Sequence, residues 1–133
     1  MGYIKHNVIV ITSWDKKILE KARGRARKLF KKVFKQEDEE FRQDGSKLVS
    51  PIIKGIANGY FSFFIAPDGS KEGWSPSQFG DEAREKFMKY VYSLDYEDGS
   101  NPLDFVEIEF GGDLIYGGGA RIVNSNSEPI EEN

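Results

Sequence analysis

The chain of 133 residues contains no cysteine and only one histidine. The first absence removes disulfides, thiolate nucleophiles and cysteine-based zinc sites, and the second leaves almost no material for a transition-metal centre. The single histidine, His6, falls within the first expected strand, where a structural role is the ordinary outcome and no catalytic triad can be assembled around it. No apolar run approaches the roughly 20 residues of a membrane span, and positions 1–11 lack the leading charges and small-residue cleavage site of a signal peptide. These absences predict a cytoplasmic protein without a membrane segment, a transition-metal site or a cofactor, while Mg²⁺ held by carboxylates stays open, with nothing in the spacing selecting it.

Positive charge is also in short supply. Lys and Arg number 19 against 22 Asp and Glu, for a formal net charge of −3. A general binder of extended DNA or RNA presents a wide basic surface, so that class is disfavoured, whereas a small anionic ligand needs only a few well-placed arginines. Ten Phe, six Tyr and two Trp supply enough bulky apolar surface to exclude a disordered chain. The length suits one domain, expected over 1–124, followed by a polar, acidic tail over 125–133.

The cations that are present are unevenly placed. Ten of the nineteen lie between Asp15 and Lys35, where only Asp15 and Glu20 are acidic. Ile18, Leu19, Ala22, Ala26, Leu29, Phe30 and Val33 recur there at helical spacing, so the segment reads as an amphipathic helix. Thr12 or Ser13 is the expected N-cap, with Asp15 suited to the positive end of the dipole. At 100° per residue, Lys16, Arg23 and Arg27 share one flank of the apolar stripe, Arg25 and Lys32 the other, and Lys17, Lys28, Lys31 and Lys35 point away. Gly24 costs about 1 kcal/mol relative to alanine and leaves room for another backbone or a ligand.

Around this helix the pattern predicts a strand over Tyr3–Thr12 and a polar loop over Gln36–Ser46. A hairpin follows, with arms Pro51–Ile56 and Tyr60–Ala66 joined at Asn58-Gly59, a pair that tolerates the positive φ of a type I′ turn. A second helix starts at Ser75-Pro76 or at Gly80-Asp81 and ends near Leu94. A strand over Leu103–Phe110, a short segment Leu114–Tyr116 and a strand around Ala120–Val123 complete the order β-α-β-β-α-β-β. This predicts a two-layer α+β fold, with two helices on one face of a mostly antiparallel sheet and ferredoxin-like connectivity as one arrangement.

Four groups of residues could hold an anion. Arg23, Arg25 and Arg27 stand at the edges of the stripe, where arginine can bury its stem and present a planar fork, although a solvated face is the usual outcome of a charge run. The loop Asp68–Trp74 places Lys71 and Trp74 within a glycine-bearing turn, without the spacing of a P-loop. Tyr90, Tyr92, Tyr96 and Asn101 offer rings to stack a base and an amide to read its edge, though packing accounts for Tyr90 equally well. Arg121, the only cation after Lys89, follows the glycine run 117–119 and suits either a phosphate or an ion pair. That run is not a dinucleotide fingerprint. Glu107 and Glu109 share one strand face, and alternation reads them as solvent-facing.

Several longer strings are distinctive: Ser50-Pro51, Asn58-Gly59-Tyr60, the run Ser62 to Trp74, Gly80-Asp81, Arg84, Phe87, Tyr96-Glu97-Asp98-Gly99-Ser100 and Val106-Glu107, with Met1 to His6 and Val10 to Trp14 upstream. Through them the chain resembles a family of small phage-encoded proteins, the first-described Thoeris anti-defence family. The resemblance implies a non-catalytic sponge that sequesters cyclic ADP-ribose-type immune signals, and in some members cyclic oligonucleotides, inside the infected bacterium. It also implies a homo-oligomer built from dimers. Arginines of the first helix and near the C-terminus, an aromatic and an asparagine are the expected ligand contacts. The matching residue types here are Arg23 or Arg27, Arg121, Tyr92 or Trp74, and Asn101. Two other classes remain: an enzyme that degrades such a nucleotide, and a module that docks an acidic protein on the basic helix.

Overall fold

A computed structural model describes residues 4–112 and 119–127. Five strands and two α-helices follow in the order β1 (Lys5–Ser13), α1 (Lys16–Phe34), β2 (Ile53–Lys54), β3 (Phe61–Ile65), α2 (Ser75–Ser93), β4 (Asp104–Gly111) and β5 (Gly119–Ser125). The strands form one sheet in the order β2-β3-β1-β4-β5. All neighbouring pairs are antiparallel. It follows that β1 and β2 run parallel with β3 between them, and β3 and β4 run parallel with β1 between them. These two interlocked units are the ferredoxin-like connectivity, to which β5 adds a fifth strand beside β4.

The helical stripe read from α1 is the stripe that packs. Leu19, Ala22, Ala26, Phe30 and Val33 are buried together with Ala83, Phe87 and Val91 of α2 and with Ile9, Ile11, Phe63, Ile65 and Phe105 of the sheet. Removing such side chains from water is what holds the two layers together, at about 1.5–3 kcal/mol for each large one. The flanks also fall as the periodicity requires. Lys16 lies over the Phe61 ring and Arg23 reaches the loop before β2, while Arg25 on the opposite flank sits 4.8 Å from the Tyr90 ring of α2.

Helix boundaries differ in instructive ways. The N-cap of α1 is Asp15, whose carboxylate accepts from the N–H groups of Lys17 and Ile18. Neither Thr12 nor Ser13 serves, because β1 continues through Ser13 and its hydroxyl is spent donating to the Pro102 carbonyl and accepting from Asp15 N–H. Helix α2 uses the earlier of its two expected starts, with Pro76 in the first turn and Trp74 at the cap position without a side-chain bond. Gly80 is therefore inside the helix rather than at its start.

The Asn58-Gly59 turn has positive φ at both residues, 61° and 68°, as its composition predicts. The arm before it is shorter than expected, only Ile53–Lys54. Pro51 has no N–H to donate, and the Ser50 hydroxyl substitutes by accepting from Phe64 N–H at 2.9 Å. The polar loop after α1 contains two 3-10 turns, Glu39–Phe41 and Gly45–Leu48. At the other end, β5 runs to Ser125, and Asn126 bonds both to the Leu103 carbonyl and to Phe105 N–H, so ordered structure passes position 124. The segment Leu114–Tyr116 and most of the tail lie outside the described residues.

The reading of β4 is corrected. Glu107 is buried on the helix side of the sheet, and Glu109 points the same way, whereas Val106, Ile108 and Phe110 face away from the helices. The alternation holds, with its faces exchanged relative to the expectation from composition. The reason is a polar filling between β4, β5 and α2. Glu107 accepts from Asn7 Nδ2 at 3.1 Å and from Asn124 Nδ2 at 2.8 Å, which makes burial of its carboxyl tolerable. Among the described residues, no helix is long and apolar enough to cross a membrane.

Candidate functional site

The expected ligand residues are distributed over three separate parts of the surface. Lys71 and Trp74 are together at the start of α2. Their loop is held from below by Asp68, whose Oδ1 accepts from the backbone and hydroxyl of Ser70. Gly69 and Gly73 both take positive φ, which lets the chain turn twice within a few residues. Lys71 pairs with Ile4 as an isolated antiparallel bridge, and its ammonium lies 5.2 Å from the centroid of the Trp74 ring.

Trp74 is 57% exposed, and Phe41, from the first 3-10 turn, is 63% exposed. Both line an open cleft of about 540 Å³ together with Pro76, Ser75, Glu37 and Asp38. Two rings beside one cleft, with a cation against one of them, offer stacking surface to a planar group. The start of the helix is less free: the Ser75 hydroxyl donates to Glu37 Oε2 at 2.8 Å, placing a carboxylate where an anion would otherwise be favoured. Glu37 and Asp38 are the charged residues of the lining and oppose a phosphate within the cleft, so its rings suit a base, while Lys71 lies outside the lining, against the Trp74 ring.

The second part lies between α2 and the β4–β5 hairpin, a groove of about 400 Å³ bordered by Tyr92, Met88, Asn7, Glu107 and Asn124. Tyr92 donates its hydroxyl to Asn124 Oδ1 and sets its ring edge-on to Phe105. Asp81, Glu85, Glu107 and Glu109 outnumber Arg84 and Lys89 in the lining. Arg84 is already paired with Asp68 and Asp81. The local field therefore repels a phosphate.

Arg121 stands beside this groove with its fork occupied. Its Nε donates to Glu109 Oε1 at 2.9 Å and its Nη2 to Oε2 at 3.3 Å. This bond holds the Glu109 carboxyl below the usual carboxylate range, with the charge of Lys5 as a further cause, and raises the arginine in return. Of the two roles open to Arg121, the structure displays the ion pair. Asn101 is likewise committed. Its Nδ2 donates to the Val91 carbonyl and to Asp95, and its Oδ1 accepts from Leu103 N–H, tying the C-terminal end of α2 to the start of β4.

The third part is α1. Arg23 spends Nε on the Ser50 carbonyl at 2.7 Å and is half-buried, whereas Arg27 is exposed. A Cβ built on Gly24 meets nothing within 4 Å, so no segment among the described residues makes use of its small size. Only Lys71 and Trp74, of the seven candidates, are seen in direct mutual contact. Phe41 was missed because a lone phenylalanine in an acidic loop carries no periodic signal. Glu107 was missed because carboxylates at alternate positions ordinarily face water.

Comparison with protein-family models, with curated proteins and with solved structures gives no match.

Proposed function

We propose that this protein is a non-catalytic sponge for a small anionic nucleotide, with cyclic ADP-ribose-type signals as the first ligand class and cyclic oligonucleotides as the second. The observation that carries the proposal is Trp74, which lines an open cleft together with Phe41 and has the Lys71 ammonium against its ring. An adenine stacked on the indole gains on the order of 1–3 kcal/mol, and a phosphate meeting the lysine ammonium adds a charge-assisted bond. A cleft of about 540 Å³ is within the range that holds small ligands. The resemblance of its sequence strings to the anti-defence family supports the same class. In that role the protein would work by holding an immune signal away from its receptor.

The test is calorimetry with cyclic ADP-ribose, its glycosidic isomers and cyclic trinucleotides, followed by heat denaturation and mass analysis of the released ligand. Intact release, together with loss of binding in Trp74→Ala and Lys71→Ala, supports a sponge. Release of a cleaved product would make the protein a degrading enzyme instead.

A second reading rests on α1. Lys17, Lys21, Lys28, Lys31, Lys32 and Lys35 are all exposed, and among the described residues the helix has a single ion pair, Lys16 with Glu20. Such a face can dock an acidic protein. Charge reversal at Lys28 and Lys31 separates the two readings, since it would abolish docking and spare the Trp74 cleft.

A further inference from the structure

The two carboxylates that line the Trp74 cleft, Glu37 and Asp38, are not equivalent. Glu37 is held in place, with Oε1 accepting from Asp38 N–H at 3.0 Å and Oε2 from the Ser75 hydroxyl at 2.8 Å. Asp38 is exposed and stands at the cap position of the 3-10 turn Glu39–Phe41, yet its side chain makes no capping bond. Among the described residues, no donor and no cation is paired with its carboxylate, so both oxygens are left to a ligand. An ionised carboxylate accepts hydrogen bonds and donates none, so a base that meets Asp38 must present N–H groups. Adenine offers one exocyclic amine beside the lone pair of N1, cytosine one amine beside the lone pair of N3, and uracil one N–H between two carbonyls. In each of these an acceptor sits next to the donor and would face the second carboxylate oxygen. Guanine alone sets two donors side by side, N1–H and the N2 amine, which match the two oxygens of one carboxylate.

We propose, resting on the nucleotide reading of this cleft, that the base it takes is guanine, stacked on the Trp74 indole with N1–H and the N2 amine donating to the Asp38 carboxylate. The Lys71 ammonium lies over the ring at 5.2 Å from its centroid, and the base takes the face left free. Phe41, on the same cleft, adds a second aromatic wall. The arrangement also removes the conflict between an acidic lining and an anionic ligand. The sugar of a guanine nucleotide hangs from N9, at the end of the base remote from N1, so the phosphates leave the cleft on the side away from Asp38. Asp38 thus sets which base is held, while Trp74 holds any base. Among the ligands of the nucleotide reading, the guanine-bearing cyclic oligonucleotides are the ones this edge selects.

The experiment is calorimetry on the full chain with cyclic di-GMP and cyclic di-AMP, which share sugars and phosphates and differ only in the base. Cyclic di-GMP should bind about tenfold more tightly or better, since adenine forfeits a charge-assisted bond and turns a lone pair toward Asp38. The inosine analogue, which lacks the N2 amine, should fall between them. Asp38→Asn keeps the size of an exposed side chain. It should bring cyclic di-GMP down to the level of cyclic di-AMP and leave the melting temperature unchanged. Equal binding of the two ligands, lost for both in Trp74→Ala, would overturn the guanine assignment and leave the nucleotide reading standing. So would binding of cyclic ADP-ribose isomers alone, or a guanine preference that survives Asp38→Asn. If none of these nucleotides binds, the nucleotide reading itself fails and the assignment falls with it.

Discussion

Asp68 Oδ2 and Arg84 Nη1 lie 3.1 Å apart, with less than a tenth of either side chain exposed. The pair ties the loop after β3 to the first half of α2, and Asp81 completes it from the helix surface at 2.6 Å. Gly80 makes the approach possible, because a Cβ there would collide with the Asp68 carboxylate. Removing one partner of a buried pair leaves the other charge uncompensated, which costs more than the pair contributes when intact. Asp68→Ala should therefore lower unfolding free energy by about 3 kcal/mol, the low end for buried pairs because Asp81 remains. Gly80→Ala should destabilise in the same direction. Urea denaturation checks both, and a loss below about 1 kcal/mol for Asp68→Ala would show that Asp81 alone satisfies the arginine.

Glu107 tests a different kind of burial. Its two oxygens accept from Asn7 and Asn124, and Asn124 is held in that orientation because its own oxygen accepts from Tyr92. A glutamine at 107 offers one acceptor and points an amide N–H₂ at another, so Glu107→Gln should cost about 1–2 kcal/mol despite its nearly equal volume. Tyr92→Phe should cost less, on the order of 0.5–1.5 kcal/mol, through loss of a single bond. If the two losses fail to add in the double variant, the four groups act as one network.

The Glu109 carboxyl supplies a pH prediction. Its folded-state value is depressed below the ordinary 4.5, first by the hydrogen bond from Arg121 and then by Lys5. A depressed carboxylate contributes stability that is present above the unfolded value and lost as pH falls through the folded one. The sensitive window is therefore the acid side of about pH 4.5. Arg121→Gln should raise the Glu109 titration midpoint, read by carboxyl NMR shifts, and reduce the stability lost below about pH 4.5, because the folded and unfolded values then lie closer together. Because Arg121 is largely exposed, added salt should weaken the effect. An unchanged midpoint in the variant would assign the depression to Lys5 instead.

How far the sequence reveals this molecule depends on which force sets each feature. Apolar periodicity is a signal of burial, and it located α1, α2 and the main strands, because a stripe such as Leu19, Ala22, Ala26 and Phe30 has one sensible use. Backbone chemistry located the Asn58-Gly59 turn. Periodicity of two, by contrast, says that two faces differ without saying which is inside. In β4 the valine, isoleucine and phenylalanine face outward and a glutamate goes in, since cross-strand amides from β1 and β5 satisfy it. Those amides are distant in sequence and leave no local trace. The candidate site suffered likewise: the chemistry of Arg23, Asn101 and Arg121 fits an anion pocket, but the same donors are used within the fold, by partners 27, 10 and 12 positions away.

Asn101 and Trp74 then provide the sharpest separation of structural from ligand-binding roles. The asparagine makes three hydrogen bonds that close the end of α2 onto β4, and each is internal to the chain. Asn101→Ala removes all three, leaving the Leu103 N–H and the Val91 carbonyl to find other partners. At about 0.5–1.5 kcal/mol per bond, a loss near 2 kcal/mol is expected. Nucleotide binding should survive in the folded fraction. Trp74→Ala inverts the pattern, because an indole more than half exposed contributes little to the core, so stability should change by less than about 0.5 kcal/mol. Binding should fall at least about fivefold if the ring stacks a base, the minimum implied by about 1 kcal/mol of stacking. Thermal melting and calorimetry on the same two variants give both readings, and binding lost in Asn101→Ala but kept in Trp74→Ala would move the site to the other end of α2.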